Sequence, residues 1–178
     1  MEKSFIFAGF GGQGVILAGK LLAQAGADSG LHVTWLPSYG PEMRGGTANC
    51  TVVLSDEPIG SPVVDNPTVL VAMNLPSLDR FEKVVAEGGT ILVNSSLSTR
   101  PTGRNDVRVL TVPANDIAVS LGNSQAANMV ALGAVIKATA VVSLELIRST
   151  MARALSHKDS ARLIAVNEQA LDAGYNSV

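Results

Sequence analysis

Phe5-Ile6-Phe7-Ala8-Gly9-Phe10-Gly11-Gly12-Gln13-Gly14-Val15 decides the fold. It begins as a short apolar run of the kind that makes a buried strand. Four glycines then fall within the six residues from Gly9 to Gly14. There the backbone is free to turn sharply and another group can come close. Beyond Gly14, Val15-Ile16-Leu17-Ala18-Gly19-Lys20-Leu21-Leu22-Ala23 has helical length and composition. Strand, glycine turn and helix make the first half of a βαβ unit. A helix that starts there directs its N-terminal N–H groups and positive dipole end at the turn, which makes the turn a candidate anion site.

Gly9, Gly11 and Gly14 match the spacing G-x-G-x-x-G, a weak signal alone. A dinucleotide fold would place an acid at the end of the second strand to hold the ribose. That strand reads as His32-Val33-Thr34-Trp35-Leu36, followed by Pro37-Ser38-Tyr39-Gly40, and no acid stands there. Asp28 comes too early, inside the helix end. Gly14 is not followed by Lys-Ser or Lys-Thr, so a phosphate loop of the nucleotide-hydrolase kind is absent. Three readings stay open: dinucleotide binding, glycines that only permit tight strand–helix packing, and a phosphate or protein contact of another type.

The bulk numbers narrow the classes. At 178 residues one domain is the natural expectation, here spanning 1–178. The chain is 47% apolar and only 16% charged, so a large core is available and some surface is expected to meet another subunit. A net charge of −2 with no basic run argues against nucleic acid. The single cysteine, Cys50, excludes an internal disulfide and suggests a reducing, cytoplasmic compartment. One cysteine also cannot hold an iron–sulfur cluster unaided. His32 and His157 have no ligand-spaced neighbours, which argues against a metal site. No signal peptide is visible and no apolar run is long and clean enough to span a membrane. Val130–Val142 comes closest, interrupted by Lys137.

Along the chain, a helix over about 14–29 stops at Gly30. After the second strand, Pro37 to Gly46 reads as a loop, because its prolines and glycines oppose regular structure. It follows a strand, where open α/β sheets place their ligands. Arg44 is its only cation, and Gly45 and Gly46 follow. An arginine beside bare backbone N–H groups is suited to a phosphate or a carboxylate, and equally to pairing with Glu42. Ala48–Leu54 reads as a strand with Cys50 in its core, reached through a loop without a helix, so it is expected to run antiparallel to its neighbour. Further strands read at Val69–Met73, Thr90–Asn94 and Val107–Val112. A helix with Ser77 as its cap runs to about Glu87, and Ser95 to Asp106 reads as an exposed loop. Pro113 begins a short helix, and Asn123 or Ser124 caps a long one over about 125–139 that is apolar nearly all round. A helix through Ala154 follows, then a last one capped by Asp159-Ser160 and stopped by Gly174. The order predicts an α/β fold, a three-layer α/β/α sandwich on a mostly parallel sheet with an antiparallel strand.

Several segments together resemble one family. Gly9-Phe10-Gly11-Gly12-Gln13-Gly14, Tyr39-Gly40-Pro41-Glu42-Met43-Arg44-Gly45-Gly46 and Gly122-Asn123 with Asn128-Met129-Val130-Ala131-Leu132-Gly133-Ala134 look like the gamma subunit of 2-oxoacid:ferredoxin oxidoreductases acting on pyruvate, 2-oxoglutarate or branched-chain 2-oxoacids such as 2-ketoisovalerate. The tail Asn167-Glu168-Gln169-Ala170-Leu171-Asp172-Ala173-Gly174 fits too, so the resemblance spans essentially the whole chain. It implies an oxidoreductase that decarboxylates a 2-oxoacid to an acyl-CoA and passes the electrons to ferredoxin. Thiamine diphosphate, Mg²⁺, iron–sulfur clusters and coenzyme A serve the complex, and this chain alone binds none of them. Alpha and beta subunits, with delta in some complexes, are the implied partners. Isolated, the chain would self-associate through exposed apolar surface.

On this resemblance no residue is expected to be catalytic and none to ligate a metal. Gly11, Gly12, Gln13, Gly14, Arg44, Gly45, Gly46, Asn123 and Asn128 are the expected contact residues. The glycines would give close backbone approach, and Arg44 would meet an acidic partner group or a phosphate of coenzyme A. Asn123 and Asn128 would orient the loop or serve packing. Three other identities share these features: the beta subunit of an indolepyruvate:ferredoxin oxidoreductase, a stand-alone nucleotide-binding protein, and a pure scaffold.

Overall fold

The computed structural model describes residues 1–40, 46–156 and 161–178. One sheet carries six strands in the order β2-β3-β1-β4-β5-β6. They are β1 (Glu2–Phe10), β2 (His32–Tyr39), β3 (Thr47–Ser55), β4 (Val69–Ala72), β5 (Thr90–Asn94) and β6 (Arg108–Val112). β1, β4, β5 and β6 run parallel, and β3 is antiparallel to both β1 and β2. The antiparallel strand expected at Ala48–Leu54 is therefore present, inserted between the first two strands.

The helices are α1 (Val15–Asp28), α2 (Leu75–Phe81), α3 (Ala114–Ser120), α4 (Ala127–Thr139), α5 (Leu144–Leu155) and α6 (Ala161–Tyr175). Side-chain alternation along β1 assigns them to layers. Phe5 and Phe7 share a core with α1, α4, α5 and α6, while Ile6 and Ala8 face a smaller one with Leu78 of α2. Both faces of β1 are thus buried, as its unbroken apolar run requires. The α/β/α layering holds, with one outer layer much thinner than the other. None of the helices among the described residues is long and apolar enough to cross a membrane.

Several boundaries differ from the sequence reading. β2 continues through Pro37 to Tyr39. Gly40 N–H donates to the Thr47 carbonyl at 2.7 Å. Counting back in the antiparallel register puts the Pro37–Cys50 pair at a non-hydrogen-bonded position. The proline nitrogen there faces the open edge of the sheet, where no ladder bond is lost. α2 is capped by Asn74, not Ser77: the Asn74 side chain accepts from the Ser77 N–H at 2.9 Å. The helix gives way to a 3₁₀ turn over Glu82–Val84 and stops short of Glu87. The segment 95–106 is a loop with many exposed residues, as read, and it is fastened down where Arg100 reaches Asp79 and Glu82, and Thr102 and Gly103 also donate to Glu82. Asp159 and Ser160, the expected cap of the last helix, lie outside the described residues.

α4 is buried at every residue from Ala127 to Ile136, in keeping with its apolar surface on all sides. α6 lays Asn167, Ala170, Leu171 and Gly174 against it, a helical i, i+3, i+4, i+7 stripe. Gly174 does not stop this helix, which runs on to Tyr175. It sits where a Cβ would collide with the Val130 carbonyl, and a Cβ on Gly133 would collide with the Leu171 carbonyl. The two helices therefore meet backbone to backbone. Gly133→Ala is expected to lower stability by on the order of 1–3 kcal/mol or more, because neither backbone can yield cheaply. Urea unfolding checks this, with Gly103→Ala, where an added Cβ meets nothing within 4 Å, expected to change little.

Candidate functional site at the glycine turn

β1 ends and α1 begins at the turn Gly11–Gly14. Gly12 and Gly14 hold φ of 93° and 72°, the left-handed region that side chains with a Cβ rarely adopt. Gly14 is the N-cap of α1, and among the described residues no side chain caps the helix. The N–H groups of its first turn are left without intrahelical partners. The Gly11 N–H donates to the Gly46 carbonyl at 2.8 Å, so the turn and the end of the 37–46 segment are joined directly. Arg44 and Gly45 lie outside the described residues.

A cleft of about 570 Å³ opens beside the turn, lined by Phe10, Gly11, Gly12, Lys20, Trp35 and Tyr39 among others. Lys20 is the sole charged side chain among the described residues that line it. Tyr39 stands 68% exposed at the rim. Uncapped helix N–H groups, a lysine and three aromatic residues make a surface suited to an anionic group carried on a flat or apolar body.

The remaining expected residues divide into two kinds. Gln13 turns away from the cleft, and its Oε1 accepts from the Phe10 N–H at 2.7 Å and from Asn74 Nδ2 at 2.8 Å. Asn128, 5% exposed at the start of α4, donates from Nδ2 to the Gly14 carbonyl at 3.1 Å. A Cβ on Gly14 would occupy the space this amide fills. Asn123 is engaged elsewhere: its side chain accepts from the Gln125 N–H at 3.1 Å and caps the 3₁₀ turn Ser124–Ala126 ahead of α4. With Asn128 it also lines a separate pocket of about 180 Å³. The structure therefore brings Gly11, Gly12, Gln13, Gly14, Gly46 and Asn128 together and leaves Asn123 one step removed.

Sequence reasoning missed Lys20, Trp35 and Asn74 here. Lys20 follows Ile16 by four residues on the helix, so both share the cleft-facing side. Trp35 and Tyr39 share a face of β2 by strand alternation, a signal hidden when the strand is ended before Pro37. Asn74 carried the N-cap signature but yielded to Ser77 in the sequence reading.

The family model described as pyruvate ferredoxin/flavodoxin oxidoreductase matches residues 4–177. The chain is 46% identical over 167 residues to the ketoisovalerate oxidoreductase subunit VorA of Methanothermobacter thermautotrophicus, an alignment that covers 94% of this chain and 34% of that one. It is 40% identical over 148 residues to the 2-oxoglutarate synthase subunit KorC of Methanocaldococcus jannaschii, covering 82% and 79%. The chain thus spans about a third of the length of VorA and most of the length of KorC. The crystal structure of the gamma subunit of a keto/oxoacid ferredoxin oxidoreductase from Geobacter sulfurreducens superposes with a TM-score of 0.83 at 30% identity, covering 98% of this chain and 97% of that one.

Cys50 is fully buried on β3 against α1. Its thiol donates to the Val15 carbonyl at 3.5 Å, in the space left by Gly19. Burial pushes the thiol up to about 12, so at neutral pH it is a protonated core group rather than a nucleophile. The native chain is expected to give no reaction with Ellman's reagent at pH 8, and one thiol after denaturation. Rapid labelling of the native protein would show that β3 and α1 part readily.

Proposed function

The chain belongs to the pyruvate ferredoxin/flavodoxin oxidoreductase family, and on that premise we propose that it is the gamma subunit of a multi-subunit 2-oxoacid:ferredoxin oxidoreductase. The enzyme would oxidatively decarboxylate a 2-oxoacid to an acyl-CoA and pass the electrons to ferredoxin. Alignment over most of KorC and nearly all of the Geobacter gamma subunit supports this reading. The iron–sulfur clusters fall to companion subunits, since the sole cysteine is a buried thiol, and thiamine diphosphate with Mg²⁺ is assigned to the alpha and beta subunits on the family resemblance.

This subunit's own part is contact. The observation that carries it is the glycine turn itself, bonded to Gly46, clamped by Gln13 and Asn128, and open to the cleft. Gly11, Gly12 and Gly14 allow close backbone approach beside Gly46, and Arg44 and Gly45 are carried over from the sequence reading as contact residues. The uncapped start of α1 and Lys20 fit an anionic group, either a carboxylate of a partner subunit or a phosphate of coenzyme A. Asn123 and Asn128 act behind the surface by holding the start of α4.

Arg44→Ala in the reconstituted complex is expected to raise the KM for coenzyme A or the dissociation constant for the companion subunits by about tenfold, the scale of one charge-assisted hydrogen bond. Unchanged coenzyme A kinetics together with unchanged assembly would remove Arg44 from the contact. Anaerobic purification of the tagged chain from native extract tests the subunit assignment, with co-purifying chains of a 2-oxoacid oxidoreductase as the expected result.

A further inference from the structure

We infer that Gln13 and Asn74 are a positioning pair that sets the shape of the glycine turn, and that Gln13 is not itself a recognition residue. The inference rests on the turn being the contact surface proposed above. Gln13 lies between two left-handed glycines, Gly12 and Gly14. The chain reverses at both, and the side chain between them is carried back over the end of β1. There it lies over Gly9, where a Cβ would stand 2.7 Å from its Oε1.

Phe10 shows why an acceptor is needed at that point. The parallel register between β1 and β4 ends at Ala8–Ala72. The Gly11 N–H points to Gly46, on the β3 side. The Phe10 N–H therefore points to the opposite side, where β4 no longer supplies a carbonyl. Gln13 Oε1 takes that place at 2.7 Å. Asn74, only 3% exposed, holds the same oxygen from the other direction at 2.8 Å, while its own Oδ1 caps α2. Gln13 Nε2 adds a long contact to the Met73 carbonyl at 3.4 Å. One amide pair, half-buried at Gln13 and buried at Asn74, thus joins the end of β1, the turn and the start of α2.

The bonding pattern makes the roles separable. Both short bonds at Gln13 are accepted by Oε1, so Gln13→Glu keeps an acceptor for the Phe10 N–H and for Asn74 Nδ2. Gln13→Met matches the size and keeps neither. A residue that faced an anionic partner would show the reverse order, with the added carboxylate the more harmful change. Asn74→Asp keeps the helix cap and removes the donor to Gln13.

The experiment pairs two measurements on the full chain. Hydrogen exchange should show protection of the Phe10 N–H reduced by about tenfold or more in Gln13→Met and retained in Gln13→Glu. In the reconstituted oxidoreductase, Gln13→Met and Asn74→Asp should raise the dissociation constant for the companion subunits or the KM for coenzyme A by about tenfold with kcat little changed, and Gln13→Glu should stay within about twofold of the parent. A Gln13→Glu variant as impaired as Gln13→Met, or a Gln13→Met variant with full Phe10 protection, overturns the inference. If the parent chain itself fails to assemble, the subunit reading fails, and the exchange data still decide whether the pair sets the turn. Should Gln13→Met not fold, Asn74→Asp with an unprotected Phe10 N–H supports the inference and a protected one overturns it.

Discussion

A side-chain amide in the interior must find partners or make its burial costly. Asn128 meets that requirement by reaching out of α4 to the Gly14 carbonyl, and the rest of the molecule is arranged to let it. The reach exists only because Gly14 has no side chain. The bond joins the most deeply buried helix to the one point where β1 hands the chain to α1. The turn is therefore held from the core side by Asn128 and from the sheet side by Gln13, while its glycines line the cleft. A turn made mostly of glycine has to be braced in this way, because it has few side chains of its own to stiffen it.

Much of this is legible in the sequence. The run Phe5–Ala8, the glycines after it and the helical stretch beyond are local signals, and each fell where it was read. So did the apolar surface of α4 and the antiparallel turn of β3. What escaped were features whose meaning depends on a neighbour distant in sequence. Pro37 reads as a strand breaker unless the register with Cys50 is known, and that register is set by the pairing of two whole strands. Gly174 carries the chemistry of a helix stop, and the same missing Cβ serves close helix contact equally well. Only Val130, more than forty residues earlier, decides between the two.

The site divided along the same line. The glycines announced a turn, and the junction of Gly11 with Gly46 brought two separately noticed motifs together. The direction of Gln13 was not legible, because it follows from the φ of two glycines that are permissive in either hand. Lys20 and Trp35 carried no motif, and became part of the cleft with Tyr39 through helix and strand periodicity. The two short-range rules that place them were available, but the boundary error at Pro37 kept the strand rule from being applied far enough.

The backbone-to-backbone meeting of α4 and α6 bears on how the chain emerges from the ribosome. α4 is apolar on every side, and the partner that covers one of those sides is the last helix described. Until that helix has been made, the core helix has one flank bare to water through the synthesis of more than thirty further residues. A nascent chain halted in that interval would present a sticky, half-clad intermediate and an obvious client for chaperones.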